Sequence, residues 1–213
     1  MKIGIIGAGG KSGRQLTAEA LRQGHDVTAI VRDASKMDNP DVAVLSRDIF
    51  AITTEDIAGF DAVIDAFKAP DGKEGQHRES MAHLITIFEK KPEVRLLVVG
   101  GAGSLYTDET KETRLMDTPG FPKAFLPTAS NMGEAFELLK ASKIRWTYFS
   151  PAAMFDPAGK RTGKYTVGTD VVIQNSGGES YISYPDYALA MIDEVKNGSF
   201  MNKRFTAVSE RMA

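Results

Sequence analysis

Short, continuous apolar segments alternate with longer amphipathic stretches along most of the chain. The pattern predicts strands at 2–6, 27–31, 42–45, 62–64, 94–99, 145–149 and 204–208, a brief helical turn at 54–57, and helices at 12–23, 75–90, 128–142 and 184–196. Strands that are apolar on both faces are typical of a parallel sheet covered by helices on both sides. The sequence therefore predicts an α/β fold with a doubly wound, Rossmann-like parallel sheet.

Two stretches interrupt this regular alternation. Residues 104–126 contain Pro119 and Pro122 and predict a long loop over the mouth of an active site. Residues 160–173, with turn glycines at 163 and 168, predict a short hairpin. We expect a single domain over 1–213, in which residues 151–183 form a small C-terminal lobe on the substrate side.

Composition narrows the class of protein. The formal charge of −2 provides no field for nucleic acid or an anionic membrane surface, and no apolar run approaches the 18 residues of a membrane span. The absence of cysteine excludes disulfides and thiolate chemistry. The first strand begins at once, without a signal-peptide pattern. We expect a cytoplasmic protein that acts on a small molecule, as a monomer or homodimer.

The first strand leads into a turn with four glycines, Gly7, Gly9, Gly10 and Gly13, which also contains Lys11 and Ser12. Such a turn lets the backbone approach a pyrophosphate, and the free N–H groups at the helix start attract it. Neither the strict G-x-G-x-x-G fingerprint nor the P-loop pattern is present, because Gly13 comes one position late and Ile5 stands where a P-loop needs glycine. A glycine turn that binds nothing is the alternative.

The end of the second strand bears on the choice of cofactor. An acid at this point holds the ribose 2′-hydroxyl of NAD, whereas an arginine suits the 2′-phosphate of NADP. Arg32 and Asp33 are adjacent here, and only one of them can face the ribose. We favour Arg32 and hence NADP, with a solvated surface charge as the alternative.

Residues after the later strands complete the predicted site. Asp48 and Ile49 are candidates to contact the adenine, although Asp48 also fits an ordinary turn residue. Small Ala66 leaves room for the cofactor, while Phe67 either covers the nicotinamide ribose or packs in the core. A glycine cluster that includes Gly100 and Gly101 ends at Ser104, whose hydroxyl is the candidate catalytic group, with an ordinary loop serine as the alternative.

A proton donor is missing from the sequence. Many short-chain dehydrogenases use a tyrosine with a lysine four positions later, and none of the six tyrosines has such a lysine. His25 lies in a turn, and His77 and His83 do not share a helix face, so no metal site is expected. Reduction of an isolated ketone needs an acid, whereas a flavin or quinone spreads the incoming charge.

Two glycine-rich segments, Gly7–Gly13 and Leu97–Leu105, together with Val31-Arg32-Asp33, resemble the atypical short-chain dehydrogenase/reductase group, in particular its NmrA-like, NADH-flavin reductase and biliverdin-reductase-B-like branch. The resemblance extends over nearly the whole chain, including Phe149-Ser150-Pro151. It implies NAD(P) binding, with Pro151 near the cofactor and Ser104 in the position of the family's serine. A histidine of some relatives has no counterpart at 151–156, which argues against a tetrapyrrole substrate.

Three functions remain as hypotheses. The first is an NAD(P)H-dependent reductase of a flavin or quinone, with NADPH preferred and the flavin a substrate rather than a tightly bound group. The second is an NADP-sensing regulatory protein without turnover, as in some relatives. The third is a sugar-nucleotide epimerase or dehydratase, for which the short C-terminal part leaves little room.

Overall fold

A computed structural model describes residues 1–37 and 39–212 of the chain. Its strands are β1 (Lys2–Ile6), β2 (Asp26–Val31), β3 (Ala43–Ser46), β4 (Ala62–Asp65), β5 (Arg95–Val99), β6 (Trp146–Ser150), β7 (Met154–Asp156), β8 (Thr166–Gly168), β9 (Tyr181–Ser183) and β10 (Lys203–Val208). Its α-helices are α1 (Lys11–Arg22), α2 (Thr54–Ile57), α3 (Gln76–Phe88), α4 (Leu126–Ala141) and α5 (Tyr184–Asn197).

Eight strands form the central sheet, in the order β3-β2-β1-β4-β5-β6-β10-β8. All neighbouring pairs are parallel except β10 with β8. The strand order reverses between β1 and β4, and this reversal is the point where doubly wound sheets bind ligands, beyond the carboxyl ends of their strands. The predicted α/β fold is confirmed.

Helices cover both faces of the sheet because its strands are apolar on both faces. On one face, Leu16 of α1 and Ala188 of α5 pack against inward residues such as Ile5. On the other, Leu84 of α3 and Phe136 of α4 pack against a second set of buried side chains. Burial on both faces makes the sheet a rigid support for the loops at its carboxyl edge.

The predicted hairpin at 160–173 is wrong. Thr166–Gly168 pairs instead with β10, antiparallel, and so covers the edge that β10 would otherwise expose. The turn before β8 is held by α5, since the backbone N–H groups of Thr162 and Gly163 both donate to the Asp186 carboxylate, at 2.9 Å each. These bonds between distant parts of the chain replace the local pairing of a hairpin.

The long segment between β5 and α4 is irregular, as predicted. Within it the structure has three short 3₁₀ turns, Ala102–Ser104, Leu115–Asp117 and Lys123–Phe125. A further small sheet, not predicted, pairs β7 with β9 beside this segment. None of the helices in the described part of the chain has the length and apolar character needed to cross a bilayer.

Candidate functional site

The turn between β1 and α1 is built from backbone alone. Gly7 has a φ of 73°, in the left-handed region that favours glycine. Its carbonyl oxygen accepts from the Gly10 N–H at 2.9 Å, and Gly10 caps α1 without any side-chain hydrogen bond. A Cβ atom at Gly13 would lie 2.2 Å from the Gly7 oxygen, so the helix can approach the turn only with glycine there.

The start of α1 carries no acidic residue in its first turn. Lys11 and Ser12 begin the helix directly after this turn, so the partial positive charge of the helix N-terminus is not neutralised locally. This arrangement suits a phosphate diester close to the backbone.

A cavity of about 260 Å³, called the first cavity below, lies beside this turn at the carboxyl edge of the sheet. It is lined by Ile6, Gly7, Gly9, Gly10, Ile30, Val31, Arg32, Asp33, Arg47, Asp48, Ile49, Ala66, Phe67 and Lys68. The structure thus brings together eight of the residues predicted to bind the cofactor, which come from the ends of four different strands. They are Gly7, Gly9, Gly10, Arg32, Asp48, Ile49, Ala66 and Phe67.

The two candidates at the end of β2 are in different situations. Asp33 Oδ1 accepts from both the backbone N–H and the hydroxyl of Ser35, at 3.0 and 2.6 Å, and so caps the following 3₁₀ turn. Arg32 is exposed and forms no ion pair or hydrogen bond through its side chain with any other residue that the structure describes. Of the two, Arg32 is the one whose binding capacity is not already used.

Asp48 has a similar local role to that of Asp33. Its Oδ1 accepts from the Phe50 N–H at 3.0 Å and caps a short 3₁₀ turn, while its side chain also faces the first cavity. Ile49, from the same turn, is buried. One oxygen of Asp48 is therefore committed to the fold, and the other has no recorded partner among the described residues.

Two cations of the first cavity, Arg47 and Lys68, were missed by the sequence analysis. Arg47 follows β3 as Arg32 follows β2, and the preceding residues Ser46 and Val31 are paired in register. The only sequence signal was a second basic residue directly after a strand. It could be interpreted only once β3 was known to lie next to β2.

A buried carboxyl group lies beneath the Ala66-Phe67 turn. Asp65 is 6% exposed, and its Oδ1 accepts from the Phe67 N–H at 2.9 Å. Burial raises the pKa of Asp65 to about 7, although the hydrogen bond from Phe67 acts in the opposite direction and lowers it. Asp65 therefore fixes the turn that contributes Ala66 and Phe67 to the first cavity.

A second cavity, of about 550 Å³, opens at the ends of β5 and β6. It is lined by Gly101, Ala102, Gly103, Leu115, Thr118, Gly120, Phe121, Pro122, Phe125, Thr128, Ala129, Met132, Pro151, Ala152, Ala153 and Phe155. Of these residues none is titratable, and most are apolar. Gly101 and Pro151, both predicted to contact the cofactor, lie here rather than in the first cavity.

Ser104, the predicted catalytic residue, lines neither cavity. It is 9% exposed, and its Oγ and its carbonyl oxygen accept from Nη1 of the buried Arg204, at 3.1 and 2.8 Å. Arg204 in turn donates to Asp170. The catalytic role of Ser104 stays a prediction, and its contacts are those of a residue that fixes the segment after β5.

Gly100 also lies outside both cavities, and a packing contact explains it. A Cβ atom there would lie 2.3 Å from the ring of Tyr148. The Tyr148 hydroxyl in turn accepts from the Gly101 N–H at 3.2 Å. Gly100 therefore lets β5 and β6 pack closely, so that Gly101 and Pro151 can face the second cavity.

Fold and site together define a dinucleotide-binding protein of the doubly wound class. The residues fit such a ligand. Only glycine at position 13 lets the helix approach the turn closely, and the Arg32 cation lacks a partner among the described residues. The chain belongs to the NAD(P)H-binding family, whose sequence model matches residues 7–197. The resemblance to the atypical short-chain dehydrogenase/reductase group is confirmed.

Relatives of similar length are known. The chain is 58% identical to the uncharacterized protein YwnB of Bacillus subtilis (strain 168), over 99% of both chains. It is 39% identical to a crystal structure from Streptococcus pneumoniae TIGR4 named "putative NADH-flavin reductase", with a TM-score of 0.93 over 99% of this chain and 100% of that one. A crystal structure from Bacteroides thetaiotaomicron named "putative epimerase" is 38% identical, with a TM-score of 0.85 over 99% of both chains.

Proposed function

We propose that the protein is an NADPH-dependent reductase of a planar, conjugated acceptor such as a flavin or quinone. The observation that carries the proposal is the pairing of a charged cavity with an apolar one along a single sheet edge. The family supports NAD(P)H binding, and the printed name of the pneumococcal relative supports a flavin as acceptor.

The cofactor would lie across the strand ends, from β2 over the α1 N-terminus to β5 and β6. Gly7, Gly10 and Gly13 shape the turn that receives the pyrophosphate, with the backbone N–H groups of Lys11 and Ser12 at the helix start. Arg32 would hold a 2′-phosphate, since Asp33 is occupied by its own turn. Gly101 and Pro151 would then border the nicotinamide end.

The second cavity suits a flat apolar acceptor because its walls are apolar and enclose about 550 Å³. The bound nicotinamide supplies the hydride. The walls hold the acceptor ring in position, which is the main contribution that hydride transfer to a delocalised ring requires from the protein. No lining residue has to donate a proton, since a flavin or quinone takes it from water.

Ser104 would act in this scheme through position rather than contact. Its two bonds to Arg204 fix the end of the glycine cluster, of which Gly101, Ala102 and Gly103 line the second cavity. The direct catalytic contact predicted for Ser104 is the alternative that the Ser104→Ala variant tests.

The deciding experiment is the oxidation of NADPH by the purified protein with FMN, riboflavin and a small quinone, each compared with NADH. We expect turnover with at least one acceptor and a preference for NADPH. Arg32→Ala should lower the affinity for NADPH by about 10- to 100-fold, the range expected for a charge-assisted hydrogen bond. The affinity for NADH should change little. Equal losses for both nucleotides would reject the NADP assignment.

A second candidate is an epimerase, which the name of the Bacteroides relative favours. Such chemistry needs a proton donor and acceptor at the sugar, and the described lining of the second cavity offers neither. Turnover of a sugar nucleotide with no reaction toward flavin or quinone would replace our proposal. Tight NADPH binding with no turnover of any acceptor would instead indicate the regulatory, sensing function.

A further inference from the structure

The wall of the first cavity formed by β2 and β3 carries two arginines side by side. Val31 and Ser46 are paired in the parallel ladder, so Arg32 and Arg47 occupy the next position on adjacent strands. Adjacent strands are about 4.8 Å apart, which is within the reach of two guanidinium groups toward one phosphate. Both side chains line the same cavity.

Arg47 is held in place before any ligand binds. Its Nε donates to Oδ2 of Asp56 at 3.2 Å, and its Nη1 donates to the Ser46 carbonyl oxygen at 3.0 Å. Asp56 is itself fixed by the N-terminal capping box of α2, in which it pairs with Thr53. Nη2 of Arg47 has no recorded partner among the described residues, so one edge of the guanidinium stays available.

The cations of the first cavity offer hydrogen-bond donors to an additional anion. Three cations, Arg32, Arg47 and Lys68, and two acids, Asp33 and Asp48, line it. Arg47 and Lys68 are paired with Asp56 and Asp71, whereas Arg32 has no ion-pair partner among the described residues. The carboxylates of Asp33 and Asp48 are each held by a backbone N–H of their own turn. A monoester phosphate brings about 1.5 to 2 negative charges at neutral pH, and it is the kind of group that paired arginines bind.

We propose that Arg47 is a second specificity-determining residue, which together with Arg32 clamps the 2′-phosphate of NADPH. The inference rests on the proposed NADP preference and adds to it a residue from a different strand. Asp56 acts as its positioning residue. The ion pair partly offsets the positive charge of Arg47, and it holds the guanidinium group of Arg47 beside the cavity.

The test uses adenosine 2′,5′-bisphosphate and 5′-AMP as probes, with binding measured by isothermal titration, so that it is independent of any reaction. We expect Arg47→Ala to lower the affinity for the bisphosphate by about 10-fold or more and the affinity for 5′-AMP by less than about twofold. Arg47→Lys should recover only part of the loss, because it restores the charge without the planar fork. Asp56→Asn should weaken binding of the bisphosphate by about 2- to 5-fold, as expected for loss of a partly exposed ion pair.

Arg78→Ala is the matched control, since Arg78 is an exposed arginine with a carboxylate partner, Glu134, outside the cavity. It should leave both probes unchanged, and circular dichroism checks that every variant is folded. Equal weakening of both probes by Arg47→Ala would mean that Arg47 contacts the adenine, and would overturn the clamp. So would an unchanged affinity for both.

Failure of this inference is distinguishable from failure of the proposed cofactor. If the wild-type protein prefers the bisphosphate and Arg32→Ala removes the preference while Arg47→Ala does not, NADP selection stands and the clamp is wrong. If the wild-type protein shows no preference for the bisphosphate over 5′-AMP, the NADP assignment and the clamp fail together.

Discussion

The two cavities share one sheet edge and differ in almost every physical property. Five charged side chains line the first, and in the second none of the described lining residues is titratable. The first is shaped by tight backbone turns, the second by apolar side chains from the irregular segment before α4 and from the residues after β6. Under the proposed function, one end of the site would select its ligand by charge and the other by shape.

The contrast follows from where each cavity lies in the fold. The first occupies the carboxyl ends of β1, β2, β3 and β4, which are neighbours in the sheet, so the strands hold its charges at fixed positions. The second lies under surface segments such as Lys123–Phe125, where Phe125 is 63% exposed. Surface segments generally vary more between related proteins than the elements they connect.

The largest effect should come from removing the backbone cradle of the first cavity. Gly13→Ala places a Cβ 2.2 Å from the Gly7 carbonyl oxygen, so α1 has to move away from the turn. We expect the affinity for NADPH and NADH to fall together by more than about 100-fold, because the pyrophosphate site is common to both. Fluorescence titration of each nucleotide measures the loss.

Gly59→Ala is the control for that variant, since a Cβ there meets nothing within 4 Å. It should bind both nucleotides as the wild-type protein does. Unaltered nucleotide binding by Gly13→Ala would contradict the assignment of the turn as the pyrophosphate site. It would also contradict the assignment of the cofactor to the first cavity.

The sequence was sufficient to predict most residues that meet at the first cavity, and much less so the surroundings of the second. Continuous apolar runs located β1 and β5, and residues that directly follow strands, such as Arg32 and Ala66, were placed correctly because parallel strands share one carboxyl edge. Arg47 was missed because its significance depends on the pairing of β3 with β2, which no local pattern encodes.

The parts of the structure that the sequence did not predict depend on contacts between distant residues. The bonds from Thr162 and Gly163 to Asp186 direct residues 166–168 to β10 instead of into a hairpin. Three-residue strands such as β7 and β9 carry too little periodicity to be recognised. The buried bond of Ser104 to Arg204 spans 100 positions, and the sequence alone gave no sign of it.

The next largest effect concerns the buried carboxyl group of Asp65, beneath the Ala66-Phe67 turn of the first cavity. The pKa of Asp65 is about 7 in the folded protein against an ordinary 3.8, so the folded state keeps a proton that the unfolded chain releases. The contribution of Asp65 to the stability of the folded protein should therefore be most favourable below about pH 4, and it should decline as the pH rises toward 7. The penalty above pH 7 is at most about 4 kcal/mol.

Asp65→Asn removes that titration and keeps an oxygen for the Phe67 N–H. We expect the variant to be more stable than the wild-type protein by about 2 kcal/mol at pH 8, since the amide also buries donors that need partners, with no gain at pH 4. Urea unfolding at both pH values measures this. Asp61→Asn, an exposed carboxyl that also accepts a backbone N–H, should show no such gain. An equal gain at both pH values would disprove the buried titration.

A third variant narrows the second cavity alone. Ala153 lines it and is exposed, so Ala153→Trp can extend into the cavity without disturbing the core. We expect kcat/KM for the flavin to fall by about 10-fold, with the dissociation constant of NADPH unchanged. Ala158→Trp, which is exposed and outside the lining, should alter neither value. A parallel loss of NADPH affinity would show that the two cavities are not separate binding regions.

The smallest effect is expected at Ser104, where it separates a positioning residue from a catalytic one. Ser104→Ala removes the 3.1 Å bond to Arg204 but leaves the 2.8 Å bond to the Ser104 carbonyl oxygen, so Arg204 keeps a partner at this position. We expect about 1 kcal/mol of lost stability and a change of less than about fivefold in kcat for flavin reduction. If kcat instead fell 100-fold with stability and KM unchanged, Ser104 would contact the reacting rings directly, and the acceptor end would depend on a hydroxyl group as well as on shape.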